Sequence, residues 1–243
     1  MKLSQLFNLP NALTLINLFS GCMAVVFVFN YHIDWVPYCI SISLVADFLD
    51  GFAARWTKTS SDIGKQLDSL ADVISFGLLP GAVVYFMILQ IMERNSNASL
   101  PIAYLIAYSA VAFLITLFAA LRLAKFNVDE RQSDGFIGLA TPAATIFVWG
   151  VLEVFLHNTF GLGFIVQSVP FLYAVTALLS VLMIAELPMF AFKFKHYGWS
   201  GNEIRYLFII LSVVLLAVFN FASLSIIIIL YILISIAQKF IKS

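Results

Sequence analysis

Long apolar runs separated by short polar clusters dominate this 243-residue chain. A run of about 20 apolar residues, rising 1.5 Å per residue, matches the hydrocarbon thickness of a bilayer, so each run reads as a spanning helix. Eight helices are predicted, over about 11–30, 36–56, 65–92, 101–125, 141–157, 164–187, 203–219 and 222–240. Polar or Pro-containing breaks separate most of them: Asn30 to Pro37, Glu93 to Pro101, Asn127 to Gly135, His157 to Gly163 and Lys193 to Asn202. The last two runs are divided at Phe219-Asn220-Phe221-Ala222-Ser223, because together they are too long for one crossing. No segment repeats at a fixed period.

Composition agrees with lipid as the surrounding solvent. With 62% apolar and 11% charged residues and a mean hydropathy of +1.01, the chain lies outside the range of soluble globular domains. The expected fold is an all-α, polytopic transmembrane helix bundle of about eight spans, forming a single membrane-embedded domain over residues 1–243. Thirteen basic and thirteen acidic side chains cancel, so nothing in the total charge points to a nucleic-acid partner.

The position of the charges carries more. An even number of spans puts both termini on one side, and Lys2, Arg55, Lys58, Lys65, Arg122, Lys125, Arg131, Lys193, Lys195, Arg205, Lys239 and Lys242 all fall there. Only Arg94 falls opposite. This asymmetry places both termini in the cytoplasm. Lys2 followed by an apolar stretch resembles a signal peptide, and Phe19-Ser20-Gly21-Cys22 a lipoprotein processing site, but the seven spans that follow favour a first spanning helix. Cys22 and Cys39 lie in apolar segments and imply no disulfide framework.

The segment Asp47-Phe48-Leu49-Asp50-Gly51-Phe52-Ala53-Ala54-Arg55, followed by Gly64, Asp68 and Asp72, carries the candidate chemistry. Asp47 and Asp50 are i and i+3 on a helix, and Asp68 and Asp72 are i and i+4, so each pair shares a face. A short polar link, Trp56 to Ser61, is expected to make the two helices antiparallel neighbours with converging faces. Four bare carboxylates in a low-dielectric site repel one another and each loses hydration, so a cation is required among them. Hard oxygen ligands suit Mg²⁺ or Mn²⁺. Small residues beside the acids, Gly51, Ala54 and Gly64, clear room for a ligand or a helix backbone.

The pattern D-x2-D-G-x2-A-R-x8-G-x3-D-x3-D over residues 47–72 resembles the signature of the CDP-alcohol phosphatidyltransferases, with every position present. The resemblance implies metal binding by Asp47, Asp50, Asp68 and Asp72, with Asp72 also acting as base. It implies that Gly51 and Ala54 admit the cytidine nucleotide beside Asp50, Asn11, Thr14 and Asn17, and that Arg55, Gly64 and Arg122 meet phosphate. It further implies a six-helix core, about residues 1–187, around a polar cytoplasm-facing cavity, usually in a homodimer, and a multi-pass protein of the bacterial inner membrane. The additional helix pair, about 203–240, fits the phosphatidylserine synthase branch. Leu9-Pro10-Asn11 through Phe19, Ser75-Phe76-Gly77-Leu78-Leu79-Pro80-Gly81, Arg122 through Val128 and Phe136 through Ala144 are also similar to that branch. Ala140 departs from it, where Pro is expected.

The residues support phosphoryl-transfer chemistry. A divalent ion would neutralise pyrophosphate charge, and a carboxylate near the incoming hydroxyl would take its proton. The branch resemblance implies CDP-diacylglycerol and L-serine as substrates. Arg122 or Lys125 is then expected at the serine carboxylate, and Asp129 or Asp134 at its ammonium. Other acceptors, glycerol 3-phosphate or inositol phosphate, share the same signature. Asp129, Glu130 and Asp134 against Arg131 make the following loop too acidic for a dianionic acceptor. Duller readings stand beside these. Arg122, Lys125 and Arg131 suit a helix end as topology determinants. Asn11, Thr14 and Asn17 recur on one face and would also serve as interhelical hydrogen-bonding groups. A membrane cation transporter is the competing class, since intramembrane acids mark ion paths; the acids here crowd one edge, and no inverted repeat is visible.

Overall fold

The computed structural model describes residues 8–59, 61–95, 100–129, 136–190 and 198–242. Helix α1 spans Leu9–Phe29; the Asn8 side chain caps it by accepting from the Asn11 amide at 2.9 Å, and Pro10 sits in the first turn, where no amide is needed. Helix α2, Val36–Thr57, follows a 3₁₀ turn at Ile33–Trp35 and stops at Lys58, which adopts a left-handed conformation at φ 54°. The hydroxyl of Ser61 caps helix α3 by accepting from the Gly64 amide at 3.0 Å. That helix runs unbroken over Asp62–Asn95, three residues beyond the predicted 65–92 at each end.

Helix α4, Ile102–Val128, has one 3₁₀ turn at Ala110–Phe113. Helices α5, Thr141–His157, and α6, Val169–Ile184, are apolar but shorter. The predicted single helix over 164–187 is instead a short turn, Gly163–Val166, followed by α6. Pro170 lies in the first turn of α6, and Ser168 before it is extended. Helices α7, Glu203–Phe219, and α8, Leu224–Lys242, form one apolar stretch broken where the sequence places the division, at Asn220 (φ 52°, ψ −154°) and a 3₁₀ turn to Ser223. Phe208 of α7 contacts Tyr231 of α8 at 6.1 Å between ring centroids, so the two helices fold back on one another.

Among the described residues five stretches are long and apolar enough to cross a membrane: α1, Ile33–Thr57, α3, α4 and Glu203–Lys239. In its most apolar window α3 is 72% buried, against 33% for α1 and 28% for α4, so α3 is the central helix and the others present lipid-facing surfaces. Leu79, Met87 and Ile88 of α3 cluster with Ile115 of α4, Leu152 of α5 and Leu172, Leu179 and Met183 of α6 in the core. A two-residue antiparallel pairing, Phe136–Ile137 (β1) with Pro188–Met189 (β2), ties the approach to α5 to the exit of α6. Cys39 is buried and Cys22 lies on the outer surface, both as free thiols.

Candidate active site

One face of α1 bears Asn11, Thr14, Asn17 and Ser20, all buried. The spacing of three residues turns them toward α2 and α3 together. Thr14 donates its hydroxyl to Asp50 Oδ2 on α2 at 2.6 Å, and Asn17 donates Nδ2 to Asp72 Oδ1 on α3 at 3.2 Å. The expected convergence of the α2 and α3 faces is seen in the approach of Asp47 and Asp50 to Asp68, and α1 packs against both α2 and the Asp62–Asp72 segment. The acids face each other across the intervening space.

Local backbone chemistry sets the register of this contact. After Asp72 the helix widens into a π segment, Val73–Leu78, before returning to α geometry. A π segment inserts an extra residue into the turn, shifts the following side chains and frees carbonyls from the regular ladder. Hydroxyls from neighbouring helices approach two of them: Thr116 donates to Gly77 O at 3.0 Å, and the Thr145 hydroxyl is shared between Thr141 O at 3.1 Å and Phe76 O at 3.3 Å. The same segment presents Ser75, which donates to Asn17 O at 3.0 Å, and Ser43 of α2 donates to that carbonyl at 3.2 Å. Asn17 is thereby held from both flanking helices. Gly21 permits this approach, since a Cβ there would lie 2.8 Å from Ser75 Cα.

Asp47, Asp50 and Asp68 each offer a carboxylate oxygen within 4.8 Å of the other two. Asp72 stands outside that triad of mutual distances but lines the same cavity, about 500 Å³ in volume. Gly51, Arg55, Lys65, Ser69, Arg122, Asn127, Ala140, Thr141 and Pro142 also line it. Arg55 and Lys65 are exposed, whereas Asp50, Asp72, Arg122 and Thr141 are buried. Asn127 donates to Ser69 Oγ at 2.9 Å, joining α4 to α3 at the wall.

A metal ion fits the acid triad. Asp68 Oδ1 is buried without a hydrogen-bond partner, a costly state for a carboxylate oxygen unless a cation or bound group satisfies it. Three hard oxygens so close together form a donor set for a divalent cation. Gly51 leaves the cavity open, with Arg55 Nη1 3.5 Å from the place a Cβ would occupy. Gly64 stands where a Cβ would lie 3.3 Å from Asn11 Oδ1, which puts Asn11 at the start of α3.

Other sequence-predicted residues lie elsewhere. Ala54 is half-buried on α2 and is not among the cavity-lining residues. Lys125 points to Glu186, 3.4 Å away, and does not line the cavity. Asp129 follows the last turn of α4, its amide bonded to Lys125 O, and it too is absent from the lining. Asp134 lies outside the described residues. Ser43, Ser75, Lys65 and Thr141 are additions. Lys65 carried a signal as a cytoplasmic-side cation, Ser75 and Thr141 lie in segments similar to the family branch, and Thr141 also begins a Thr-Pro helix start, whereas Ser43 had none.

Comparison with known proteins agrees with the geometry. The chain is 33% identical over 217 residues to the CDP-diacylglycerol--serine O-phosphatidyltransferase of Helicobacter pylori (strain 26695), covering 88% of this chain and 84% of that protein. The enzyme of the same name from Bacillus subtilis (strain 168) is 30% identical over 196 residues, covering 80% and 94% of the two chains. That of Methanocaldococcus jannaschii is 31% identical over 153 residues, covering 63% and 64%. The family model described as CDP-alcohol phosphatidyltransferase matches residues 7–182, from α1 through most of α6 and including all four cavity acids. This chain therefore belongs to the CDP-alcohol phosphatidyltransferase family.

Proposed function

We propose that the protein transfers the phosphatidyl group of CDP-diacylglycerol to the hydroxyl of L-serine, giving phosphatidylserine and CMP. The observation that carries the proposal is the convergence of Asp47, Asp50 and Asp68 within 4.8 Å, in one cavity with the buried Asp72. The names of the curated relatives support serine as the acceptor. In this reading the bundle crosses the membrane eight times, with both termini and the cavity on the cytoplasmic side, and works as a homodimer. Helices α5 and α6 would cross a membrane only about 25 Å thick at 1.5 Å per residue, which requires local thinning or tilt of neighbouring helices.

Asp47, Asp50 and Asp68 would hold Mg²⁺ or Mn²⁺. When bound, the ion supplies positive charge that neutralises the pyrophosphate and improves CMP as a leaving group. The remaining roles fall to this chain's own residues. Gly51 lets the nucleotide lie close to α2, and exposed Arg55 and Lys65 at the rim offer donors to phosphate oxygens. Asp72 accepts the serine hydroxyl proton as that oxygen bonds to phosphorus. The phosphorus–oxygen bond to CMP breaks on the opposite side. Asn17 holds one oxygen of Asp72 by hydrogen bond and leaves the other for the proton.

The test offers purified protein CDP-diacylglycerol with equal L-serine, glycerol 3-phosphate and inositol 1-phosphate, and resolves the lipid products by mass. Phosphatidylserine is the expected dominant product, formed with stoichiometric CMP and only with Mg²⁺ or Mn²⁺ present. A different dominant lipid overturns serine as acceptor. Undiminished turnover in excess chelator overturns the metal assignment.

A further inference from the structure

Two buried polar groups on the cavity wall take no part in the transfer steps above: Thr141, and Arg122, for which the family resemblance left phosphate and the acceptor carboxylate both open. Arg122 of α4 is 6% exposed and Thr141, the first residue of α5, is fully buried. Both line the cavity. Arg122 Nε and Thr141 Oγ1 are buried without a hydrogen-bond partner. The aromatic ring of Phe126, 5.8 Å from the guanidinium carbon, gives Arg122 a face to lie on but no acceptor. An unsatisfied buried guanidinium N–H and an unsatisfied buried hydroxyl in one cavity wall call for an oxygen-rich ligand.

The backbone adds to the same demand. Amides in the first turn of an α-helix lack intrahelical acceptors, and Pro142, having no amide, removes one of them at no cost. This helix is 17 residues long, so its positive end is developed. Ala140, Thr141 and Pro142 bring that end to the cavity. Its position is locked from below: the amides of Gly138 and Leu139 donate to Leu187 O and Leu182 O, both at 2.9 Å.

We infer that Arg122, Thr141 and the first turn of α5 form a subsite for the carboxylate of the amino-acid acceptor, a deepening that rests on the transfer reading above. A carboxylate fits better than a phosphate. Among the described residues the wall supplies one buried cation, Arg122, beside four aspartates, and a dianion would need more positive charge than that. The exposed rim cations, Arg55 and Lys65, are taken by the phosphates of the CDP-lipid. A carboxylate bound at Arg122 and Thr141 keeps the acceptor in the same cavity as Asp72, where its hydroxyl proton is removed. Thr141 thus determines acceptor specificity.

The test compares kcat/KM for L-serine with that for 2-amino-1,3-propanediol, in which a hydroxymethyl group replaces the carboxylate, with glycerol 3-phosphate as a third acceptor. The proteins are the wild type, Thr141→Val, Thr141→Ala and, as control, Thr141→Ser. The serine-to-aminodiol ratio is expected to fall about tenfold in Thr141→Val and Thr141→Ala, because a site that loses a hydrogen bond to one substrate's polar group loses discrimination. Thr141→Ser should keep the ratio, and KM for CDP-diacylglycerol should stay within about twofold throughout. An unchanged ratio in both Val and Ala variants overturns the subsite while the transfer reading stands. A loss confined to glycerol 3-phosphate shows that the wall takes phosphate and also overturns the proposal. No phosphatidyl product from wild-type protein with any acceptor overturns the transfer reading and this subsite with it.

Discussion

The Thr14 hydroxyl on α1 lies 2.6 Å from Asp50 Oδ2 on α2, and both residues are buried. A hydroxyl has one proton to give, so this contact competes with the turn-back bond to Pro10 O at 3.1 Å, and the shorter, charge-assisted bond to the carboxylate wins. Thr14 therefore orients an acid of the proposed metal triad. Thr14→Val should raise the Mg²⁺ or Mn²⁺ concentration for half-maximal activity by about tenfold, in the range expected for groups that orient metal ligands. Thr14→Ser should restore it. Metal titration of CMP release is the measurement.

Asn17 stands in the same relation to Asp72, but its expected effect is on turnover. Asp72→Asn should lower kcat by about 10²–10⁴, the span of general-base contributions, and leave binding of CDP-diacylglycerol largely intact. Asn17→Leu removes the donor at 3.2 Å and should lower kcat less, by about tenfold. Equilibrium binding of the CDP-lipid alongside single-turnover rates separates the two terms. Equal loss of binding and turnover in Asp72→Asn would make Asp72 mainly a metal ligand.

The pairing of the acids within each helix was readable from periodicity, since residues spaced by three or four share a face, and their meeting across α2 and α3 from the short link between those helices. The polar stripe on α1 was readable from periodicity too. The identity of its partners was not, because a stripe shows which face is buried and not which helix covers it. The short link from α2 to α3 predicts converging acid faces, as found, but not that α1 packs against both helices. The π segment after Asp72 is marked in the sequence only by Pro80, whose missing amide leaves Phe76 O without its helical donor. It depends on one extra residue in a turn being tolerated, and the tolerance comes from Thr116 and Thr145 on other helices. The break before α6 is legible in Gln167-Ser168 and Pro170, which interrupt the apolar run over 164–187. Lys125 reads as a cavity cation because it shares a helix face with Arg122, yet its ammonium meets Glu186 at 3.4 Å, a partner 61 residues away that the sequence does not bring beside it.

Gly21 makes close approach, not flexibility, the requirement at the α1–α3 contact. A methyl group there would run into the Ser75 side chain and stand 2.8 Å from its Cα, backbone that cannot swing away. Gly21→Ala should cost about 1–3 kcal/mol, as overpacking does, and should lower activity by moving Asn17 relative to Asp72. A lower melting temperature in detergent, with a fall in kcat that Ser75→Gly partly reverses by vacating the contact, is the expected result.

Gly138 tests how far the wall around Thr141 depends on its anchor. It is left-handed at φ 78°, a conformation costly for residues with a Cβ, and a Cβ would meet Met183 O and lie 3.1 Å from Ala185 O at the end of α6. Two independent penalties therefore act on Gly138→Ala: backbone strain of about 1–2 kcal/mol and collision with carbonyls that have nowhere to move. The chain relieves both by shifting the β1–β2 pairing, which carries Ala140 and Thr141 with it. Activity should then fall mainly through a raised KM for the acceptor, because the triad on α2 and α3 is held independently by α1. Gly161→Ala serves as the comparison. Gly161 is also left-handed, at φ 64°, but nothing lies within 4 Å of its Cβ position, so it carries the strain alone. A rise in acceptor KM of about threefold or more in Gly138→Ala, absent in Gly161→Ala, is the expected outcome for a substitution that misplaces part of a binding site. Equal effects in the two variants would mean that backbone strain alone is responsible and that the pairing does not position the wall.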